Sequence, residues 1–343
     1  MIRFDSDYTE GAHQRIIDAL VRTNMEQTVG YGLDEHCDRA RKLIKRECGR
    51  DDLHVHFLVG GTQTNETVIA SILRPFQGVL CADTGHIAQH ETGAIESTGH
   101  KVLTLASRDG KINADQIKRA YREHWENNDH EHIVQPGMVY ISQPTEYGTL
   151  YSLEELREIY SVCLDFSLPL FIDGARLGYA MAADEALSLK ALSELCDVFS
   201  IGGTKVGMLF GEAVVFCRQE LRANFRYMMK QRGGMLAKGR LLGIQFETMF
   251  EDGLYYAVSA SAIEKARMIK ASLEEKGIPQ LFDSPTNQLF PILTKAQQQK
   301  LAESFVLSHW EKADGGRDVM RICTSWATTE ENASALCRAI SQL

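Results

Sequence analysis

Long apolar runs and basic runs are both missing from this sequence. No stretch approaches the ~18 apolar residues of a membrane-spanning helix, which argues against a membrane protein. The formal net charge is -9 and lysine and arginine form no clusters, so no nucleic-acid partner is expected. The opening MIRFDSDYTEG is polar and charged and does not resemble a signal peptide. We therefore expect a cytoplasmic protein.

Several short motifs are absent as well. The eight cysteines form no C-x-x-C pair and no spacing with histidine that would build a zinc site, so we expect reduced core thiols and no metal. None of them stands in a recognisable nucleophile context. The sequence also lacks the G-x-x-x-x-G-K-[ST] and G-x-G-x-x-G patterns, which argues against ATP and NAD as ligands.

What the sequence does contain is an alternation of short β-rich runs with helical patterns up to residue 216. Strands separated by helices predict an α/β fold, with a mainly parallel seven-stranded sheet between helices. The last two strands are joined by a turn, so we expect them to be antiparallel. The predicted strands are 53–59, 78–81, 102–105, 138–142, 168–172, 198–201 and 213–216.

Helical patterns lie between these strands and dominate after them. Ser152, followed by Glu155, is typical of a capping-box start. The predicted helices between the strands are 63–73, 88–96, 114–126, 152–166 and 187–195. Two more strands, 288–293 and 319–324, precede a closing helix at 329–343. We therefore expect a large domain over 1–240 and a small α+β domain over 241–343.

Three loops after predicted strands carry the residues from which we infer a function. Ligands of open α/β sheets bind beyond the carboxyl ends of the strands, so these loops should converge. The first is Gly60-Gly61-Thr62, which enters a helix. Its backbone N–H groups and the helix dipole suit a phosphate, although a turn with an N-cap would explain the same residues.

The other two loops carry an isolated acid and an isolated amine. Asp173 ends an apolar strand and needs a partner, which could be a protonated ring nitrogen or the nearby Arg176. Lys205, in SIGGTKVGMLFGEAVVF, is the only charge between Asp197 and Glu212. It either reaches water over apolar surface or is a desolvated amine that attacks a carbonyl. A phosphate site, a strand-end acid and a lysine are together what pyridoxal 5′-phosphate requires.

Motifs along nearly the whole chain support this interpretation. They are FDSD from Phe4, YGLD from Tyr31, GGTQTN from Gly60, Gly85-His86 with Glu91 and Gly93, QPTEYG from Gln143, IDGAR from Ile172, GGTK with GEA, and RICTSW from Arg321. With these motifs the chain resembles the pyridoxal-phosphate-dependent, low-specificity threonine aldolases of the β-eliminating lyase and threonine aldolase family, which have fold type I. The resemblance implies a lyase that cleaves threonine or allo-threonine, with phenylserine as a further candidate, to glycine and an aldehyde.

The resemblance also implies which residues bind the cofactor. Lys205 would bind its aldehyde covalently, and Asp173 would keep its ring nitrogen protonated. Gly61 and Thr62 would hold the phosphate, with Thr204 as a helper.

A second group of residues is implied to face the substrate. Arg176 would lie near the cofactor's phenolic oxygen and contact the substrate. His86 would stack on the cofactor ring, face the substrate and be the first candidate for the base that takes the β-hydroxyl proton, with His132 as the second candidate. Ser6 and Arg321 would bind the substrate carboxylate, for which the guanidinium fork is well suited. His132 aligns less surely with a histidine that contacts the substrate hydroxyl, and a surface position explains it equally well.

Other features concern assembly and substrate choice. The family forms active sites between subunits, which implies a homodimer or homotetramer, and we expect Gly233-Gly234 and Lys238 to serve the neighbouring site. Leu33-Asp34-Glu35 and Val206 depart from residues common in the family, which leaves the exact substrate open. The alternatives are another pyridoxal-phosphate-dependent lyase or aminotransferase on this fold, or a cofactor-free α/β protein that binds a different phosphate.

Overall fold

The computed structural model describes all 343 residues. Its strands are β1 (Ile2–Arg3), β2 (His54–Leu58), β3 (Gln77–Ala82), β4 (Val102–Leu105), β5 (Gln135–Ser142), β6 (Leu170–Asp173), β7 (Val198–Gly202), β8 (Glu212–Phe216), β9 (Gln288–Leu289), β10 (Ile292–Leu293), β11 (Phe305–Val306), β12 (Ser308–Ala313) and β13 (Arg317–Cys323). Its helices are α1 (Gln14–Arg22), α2 (Glu35–Cys48), α3 (Gly61–Ile72), α4 (His86–Gln89), α5 (Ala94–Ser97), α6 (Ala114–Glu126), α7 (Leu153–Asp165), α8 (Leu177–Ala183), α9 (Leu189–Glu194), α10 (Phe225–Gln231), α11 (Arg240–Glu251), α12 (Leu254–Glu275), α13 (Lys295–Ala302) and α14 (Glu330–Ser341).

The central sheet has seven strands in the order β2-β8-β7-β6-β5-β3-β4. All neighbouring pairs are parallel except the two that involve β8, which runs antiparallel to both β2 and β7. Strands β6, β7 and β8 are buried at every position, as expected of strands covered on both faces. The predicted α/β fold, its seven strands and its antiparallel last pair are confirmed.

Strand register brings chemically active residues to one edge of this sheet. Ser142 at the end of β5 pairs with Asp173 at the end of β6. Gly202 at the end of β7 pairs with Glu212 at the start of β8. The loops that carry the predicted site therefore leave the sheet on the same side.

The helices agree with the sequence patterns with one exception. The capping box at Ser152 is present, because its hydroxyl accepts from Glu155 N–H while the Glu155 side chain accepts from Ser152 N–H. The single helix predicted over 88–96 is wrong. Thr92 and Gly93 have φ of 54° and 73°, which breaks the segment into the short helices α4 and α5.

Three apolar cores define the packing of the chain. The largest lies against the central sheet and extends along the chain as far as Ile263 in α12. The second also lies against this sheet and includes Tyr140 and Phe171. The smallest takes Ile269 from α12 and includes Phe4 and Phe305, and β1 pairs with β11. The predicted domain boundary between residues 240 and 241 stays a prediction. Because α12 passes from one core to another along its length, we would place the boundary within this helix. No helix has the length and apolar character needed to cross a membrane.

Candidate active site

Two adjoining cavities lie at the edge of the central sheet where β5, β6 and β7 end. The inner cavity, of about 290 Å³, includes Gly60, Gly61, Asp173, Thr204 and Glu212 in its wall. The outer cavity, of about 440 Å³, opens towards the small sheet and includes His90, Gln288, Ser308, Trp310 and Arg321. Both are lined by Tyr8, His86, Glu146, Arg176 and Lys205. The three loops singled out in the sequence therefore meet in one place.

The Gly60-Gly61 segment leaves open space at the start of α3. Gly60 is extended, caps the helix without a side-chain bond, and is followed by first-turn N–H groups that have no acceptor within the helix. A Cβ atom added at Gly60 or at Gly61 would meet no atom within 4 Å. This combination suits an anionic group. Thr62 is exposed and lines neither cavity.

Asp173 is buried and accepts hydrogen bonds from neutral donors only. Its Oδ2 accepts from the Tyr140 hydroxyl at 2.6 Å and from Asn65 Nδ2 at 2.9 Å, and its Oδ1 accepts from Ala175 N–H. Burial opposes ionisation, yet the charge of His86 and the hydrogen bonds from Tyr140 and Asn65 together hold its pKa below the usual value. The carboxylate thus stays ionised and has no bound cation of its own.

Arg176 does not pair with Asp173, which was one of the two readings of the sequence. It instead binds Asp7, with Nε 2.6 Å and Nη2 3.1 Å from the two carboxylate oxygens. Asp7 also accepts from Asn287 Nδ2. This pair fixes the guanidinium plane between the two cavities.

Lys205 lies in the turn after β7 with its amine in both cavities and no carboxylate within salt-bridge distance. Burial lowers its pKa, and the positive charge of Arg176 lowers it further. The neutral, nucleophilic amine is therefore more accessible here than for an ordinary lysine. The turn packs tightly against the Asp173 loop, since a Cβ at Gly174 would lie 2.0 Å from Ser200 O and one at Gly202 would lie 2.2 Å from Ala175 O.

Two polar groups beside Lys205 bind each other. The Thr204 hydroxyl donates to Glu212 Oε1 at 3.3 Å and accepts from Gly211 N–H. The other oxygen of Glu212 is buried without a partner. Burial raises the pKa of Glu212 to about 8, against the opposing charge of Lys205.

His86 begins α4, and hydrogen bonds hold both its backbone and its side chain. Its backbone N–H donates to Glu146 Oε1 at 2.9 Å, and its Nδ1 lies 2.9 Å from Glu91 Oε1. The same Glu91 oxygen accepts from Asn65 Nδ2 at 2.8 Å, so it is an acceptor and the imidazole nitrogen is the donor. The second ring nitrogen, Nε2, is therefore the one with a free lone pair.

These contacts form an almost closed chain of hydrogen bonds around the cavities. Besides the contacts above, Ser142 Oγ donates to Glu146 Oε1 at 2.7 Å. It also lies 3.3 Å from the Tyr140 oxygen, but no hydrogen is left for a bond between them, because the Tyr140 hydroxyl donates to Asp173. The members in order are Asp173, Asn65, Glu91, His86, Glu146, Ser142 and Tyr140. Three carboxyl groups and one imidazole thus share a single network.

The outer cavity contains further groups with unused hydrogen-bonding capacity. Arg321, on β13, stacks over the Trp310 ring at 5.3 Å and donates from Nη2 to Asp5 O. Its Nε is buried without a partner, and so is the hydroxyl of Ser6, a residue that lines neither cavity. Gln288 is buried with both side-chain atoms unpartnered. Such groups are expected where a polar ligand binds.

His132 is not brought to the site within this chain. It ends an exposed turn, His130–His132, just before β5. The cavities lie at the far end of that eight-residue strand, roughly 25 Å away at the usual rise per strand residue.

The sequence analysis did not assign roles to several residues of the site. Asp7, Glu91 and Glu146 all stand within motifs quoted above, but their partners are as many as 280 residues away in the chain. Asn65 occupies an ordinary helix position. The only local signal was a polar residue within an apolar or glycine-rich context, which does not identify a partner.

Comparisons with a family sequence model, with known proteins and with solved structures agree with one another. The sequence model of the Beta-eliminating lyase family matches residues 4–296. The low specificity L-threonine aldolase of Pseudomonas sp. (strain NCIMB 10558) is 30% identical, over 97% of this chain and 95% of that protein. The solved structure of Leishmania major threonine aldolase is 43% identical, covers 100% of this chain and 99% of its own, and superimposes with a TM-score of 0.96.

A more distant solved structure shows how widely the fold is shared. An aspartate aminotransferase from Thermus thermophilus covers 100% of this chain and 91% of its own with a TM-score of 0.72 at 12% identity. At that identity the likeness concerns the fold alone. It confirms the predicted fold type I architecture.

Proposed function

The chain belongs to the beta-eliminating lyase family, and from this membership and the two cavities we propose that it is a lyase that cleaves threonine or allo-threonine to glycine and an aldehyde. The two threonine aldolases named above match this chain over nearly their full length. The outer cavity adds an arginine and a buried amide with unused hydrogen-bonding capacity, which suits an amino acid.

The residues of the inner cavity fit pyridoxal 5′-phosphate. The open start of α3 at Gly60 and Gly61 would hold the phosphate. Asp173 would hold the protonated ring nitrogen and Lys205 the aldehyde carbon. Thr204 would help at the phosphate end, whereas Thr62 would contribute its backbone. Bound there, the cofactor supplies an electron sink for the bond that breaks at the substrate's α-carbon.

The single observation that carries the proposal is that an anionic carboxylate and an amine both line the inner cavity without binding each other. Asp173 is an ionised carboxylate whose hydrogen-bond donors are all neutral, and Lys205 is a buried amine without a carboxylate partner. A cofactor-free phosphate-binding protein would need neither. Only a ligand with both a cationic ring atom and an electrophilic carbon uses both groups.

Residues of the outer cavity would orient the substrate. Arg321 and Ser6 would bind its carboxylate, and the Arg176 guanidinium, fixed by Asp7, would lie beside it. Anchoring the carboxylate fixes rotation about the α-carbon and so decides which bond is weakened. His86 would pack on the cofactor ring and turn Nε2 towards the substrate. His132 keeps no role within the same chain.

We also propose a homodimer or homotetramer in the cytoplasm. All eight cysteines are free, which suits a reducing compartment. Gly234 packs against Leu58 and Gln63 of its own chain, next to the proposed phosphate loop, and Lys238 is exposed. A contribution of Gly233-Gly234 and Lys238 to a neighbour's site stays a prediction.

The proposal is tested by supplying the purified protein with pyridoxal phosphate and each threonine stereoisomer or phenylserine. We expect a yellow protein that forms glycine and the matching aldehyde in equal amounts. A colourless protein unaffected by the cofactor would contradict the cofactor assignment. Formation of a keto acid in place of glycine would show an aminotransferase instead.

A further inference from the structure

Glu146 is the one carboxylate that lines the outer cavity, and it lines the inner cavity as well. It is 8% exposed, stands in the loop after β5, and is a member of the hydrogen-bonded network described above. The reaction requires a group to take the proton of the substrate's β-hydroxyl, and no role has yet been given to this side chain.

The two oxygens of Glu146 differ in their surroundings. Oε1 accepts from the backbone N–H of His86 at 2.9 Å and from the Ser142 hydroxyl at 2.7 Å. Oε2 accepts no hydrogen bond and is not sealed off by protein atoms. The two hydrogen bonds to Oε1 fix the plane of the carboxyl group, and Oε2 is the oxygen that faces the cavities.

The charges around Glu146 leave its proton affinity higher than that of an ordinary glutamate. Burial raises its pKa, and Asp173 raises it too, whereas the bonds from Ser142 and its own backbone and the charge of His86 lower it. The other charged or titratable groups that line the cavities with it are Tyr8, Arg176, Lys205, Arg321, His90 and His309, together with Glu212 in the inner cavity. A carboxylate with a raised pKa is a stronger base than an exposed one.

We infer that Glu146 is a further catalytic residue, whose Oε2 takes the proton of the substrate's β-hydroxyl during cleavage. This inference rests on the proposed function and deepens it. His86, whose Nδ1 is bound to Glu91, then has the separate task of contacting the cofactor ring.

The step balances without a further reactant. Oε2 gains the proton, the electron pair of the O–H bond becomes the second carbon–oxygen bond of the aldehyde, and the Cα–Cβ bond breaks with its pair left on the glycine half. The α-carbon then gains one proton, and Glu146 returns one to solvent after the aldehyde leaves. The proton lost at oxygen equals the proton gained at carbon.

The test separates chemistry at the β-oxygen from binding and from chemistry at the α-carbon. Glu146→Gln holoenzyme is compared with wild type in threonine cleavage and in exchange of the glycine α-hydrogen with deuterium from solvent, which involves no β-hydroxyl. We expect cleavage to fall by about 10²–10⁴-fold, with glycine exchange and the cofactor spectrum retained. Glu158→Gln, the same change at an exposed position of α7, serves as the control.

Two outcomes would overturn the inference. Glu146→Gln could cleave threonine at the wild-type rate, or cleavage and glycine exchange could fall together, which would indicate a role in positioning only. A wild-type protein without any threonine cleavage would instead refute the proposed function. His86→Asn completes the comparison, since a larger loss of cleavage there than in Glu146→Gln would assign the proton to the imidazole.

A second measurement keeps the inference testable if Glu146→Gln folds poorly. Only the ionised carboxylate is a base, so the cleavage rate should be lost as the pH falls through the pKa of Glu146. Ser142→Ala removes a hydrogen bond that lowers this pKa, so the loss should begin at a higher pH than in wild type. A pH profile unchanged by Ser142→Ala would contradict the assignment. In the protein without cofactor, infrared spectra recorded against pH should show the band of the protonated carboxyl group. The pH at which this band appears should also be higher in Ser142→Ala than in wild type.

Discussion

At the scale of single residues, the site depends on polar groups that hold one another. Asn65 illustrates this, because its amide nitrogen donates both hydrogens, one to Asp173 and one to Glu91. The residue proposed to bind the cofactor ring and the residue that orients His86 are therefore joined by one side chain. A side chain that only donates at this point favours the ionised form of Asp173.

Glu91 provides a prediction at this scale. Glu91→Gln offers His86 Nδ1 an amide that can donate, so the imidazole proton should move to Nε2 and the lone pair facing the substrate is lost. We expect kcat/KM for threonine to fall by about tenfold, the usual effect of losing one hydrogen bond to a polar ligand. The cofactor spectrum should be unchanged. Glu91→Asp keeps an acceptor and should lose less, and equal losses in the two variants would contradict this account of the tautomer.

At the scale of elements, the site is built by loops that pack back to back where strands end. Gly174 follows β6, and a Cβ there would collide with Ser200 O on β7. At Gly61 the space is open, because it faces the inner cavity. The two glycines thus serve different needs, close packing in one case and ligand access in the other.

These glycines should respond differently to the same substitution. Gly174→Ala should lower the thermal midpoint, since overpacking of this kind costs about 1–3 kcal/mol. Gly61→Ala should leave the thermal midpoint of the cofactor-free protein nearly unchanged and weaken binding of pyridoxal phosphate. Thermal unfolding without cofactor and a cofactor titration measure both effects. The opposite pattern would show that the space beside Gly61 does not receive the phosphate.

The sequence predicted the elements better than the contacts between them. Strand positions, the antiparallel last pair and the Ser152 capping box follow from local patterns and are confirmed. The break at Gly93 depends on a positive φ, which a helical pattern does not reveal. Lys205 and Asp173 could be singled out because each is an isolated charge in apolar sequence, whereas the pairing of Arg176 with Asp7 joins residues 169 positions apart.

At the scale of the whole molecule, several exposed apolar side chains lie close together in the sequence, from the end of α1 to the start of α2. They are Val21, Met25, Val29, Tyr31 and Leu33. Tyr31 shares a surface cavity with the exposed Tyr227, and these six residues are called the apolar patch. The loop before α2 lies against α10 here, with the Lys230 amine 4.7 Å above the Tyr31 ring and Arg226 donating to Tyr31 O. An exposed patch of this kind is typical of a subunit interface.

The predicted oligomer can be tested on this patch. Met25 is 87% exposed, and Met25→Asp should shift the assembly towards smaller species in sedimentation velocity, because an interface does not accept an unpaired buried charge. Leu164→Asp, at another exposed apolar position on α7, is the matched control and should leave the assembly intact. Dissociation by Leu164→Asp but not by Met25→Asp would place the interface elsewhere.

The central claim is that the Lys205 amine, buried and without a carboxylate partner, binds the aldehyde of pyridoxal phosphate. Borohydride reduction of the loaded protein, followed by peptide mapping, tests it most directly, because reduction makes the attachment permanent. The account predicts a single labelled peptide with the pyridoxyl group on Lys205. A label on Lys230, Lys238 or another lysine, or no label on a protein saturated with the cofactor, would contradict it.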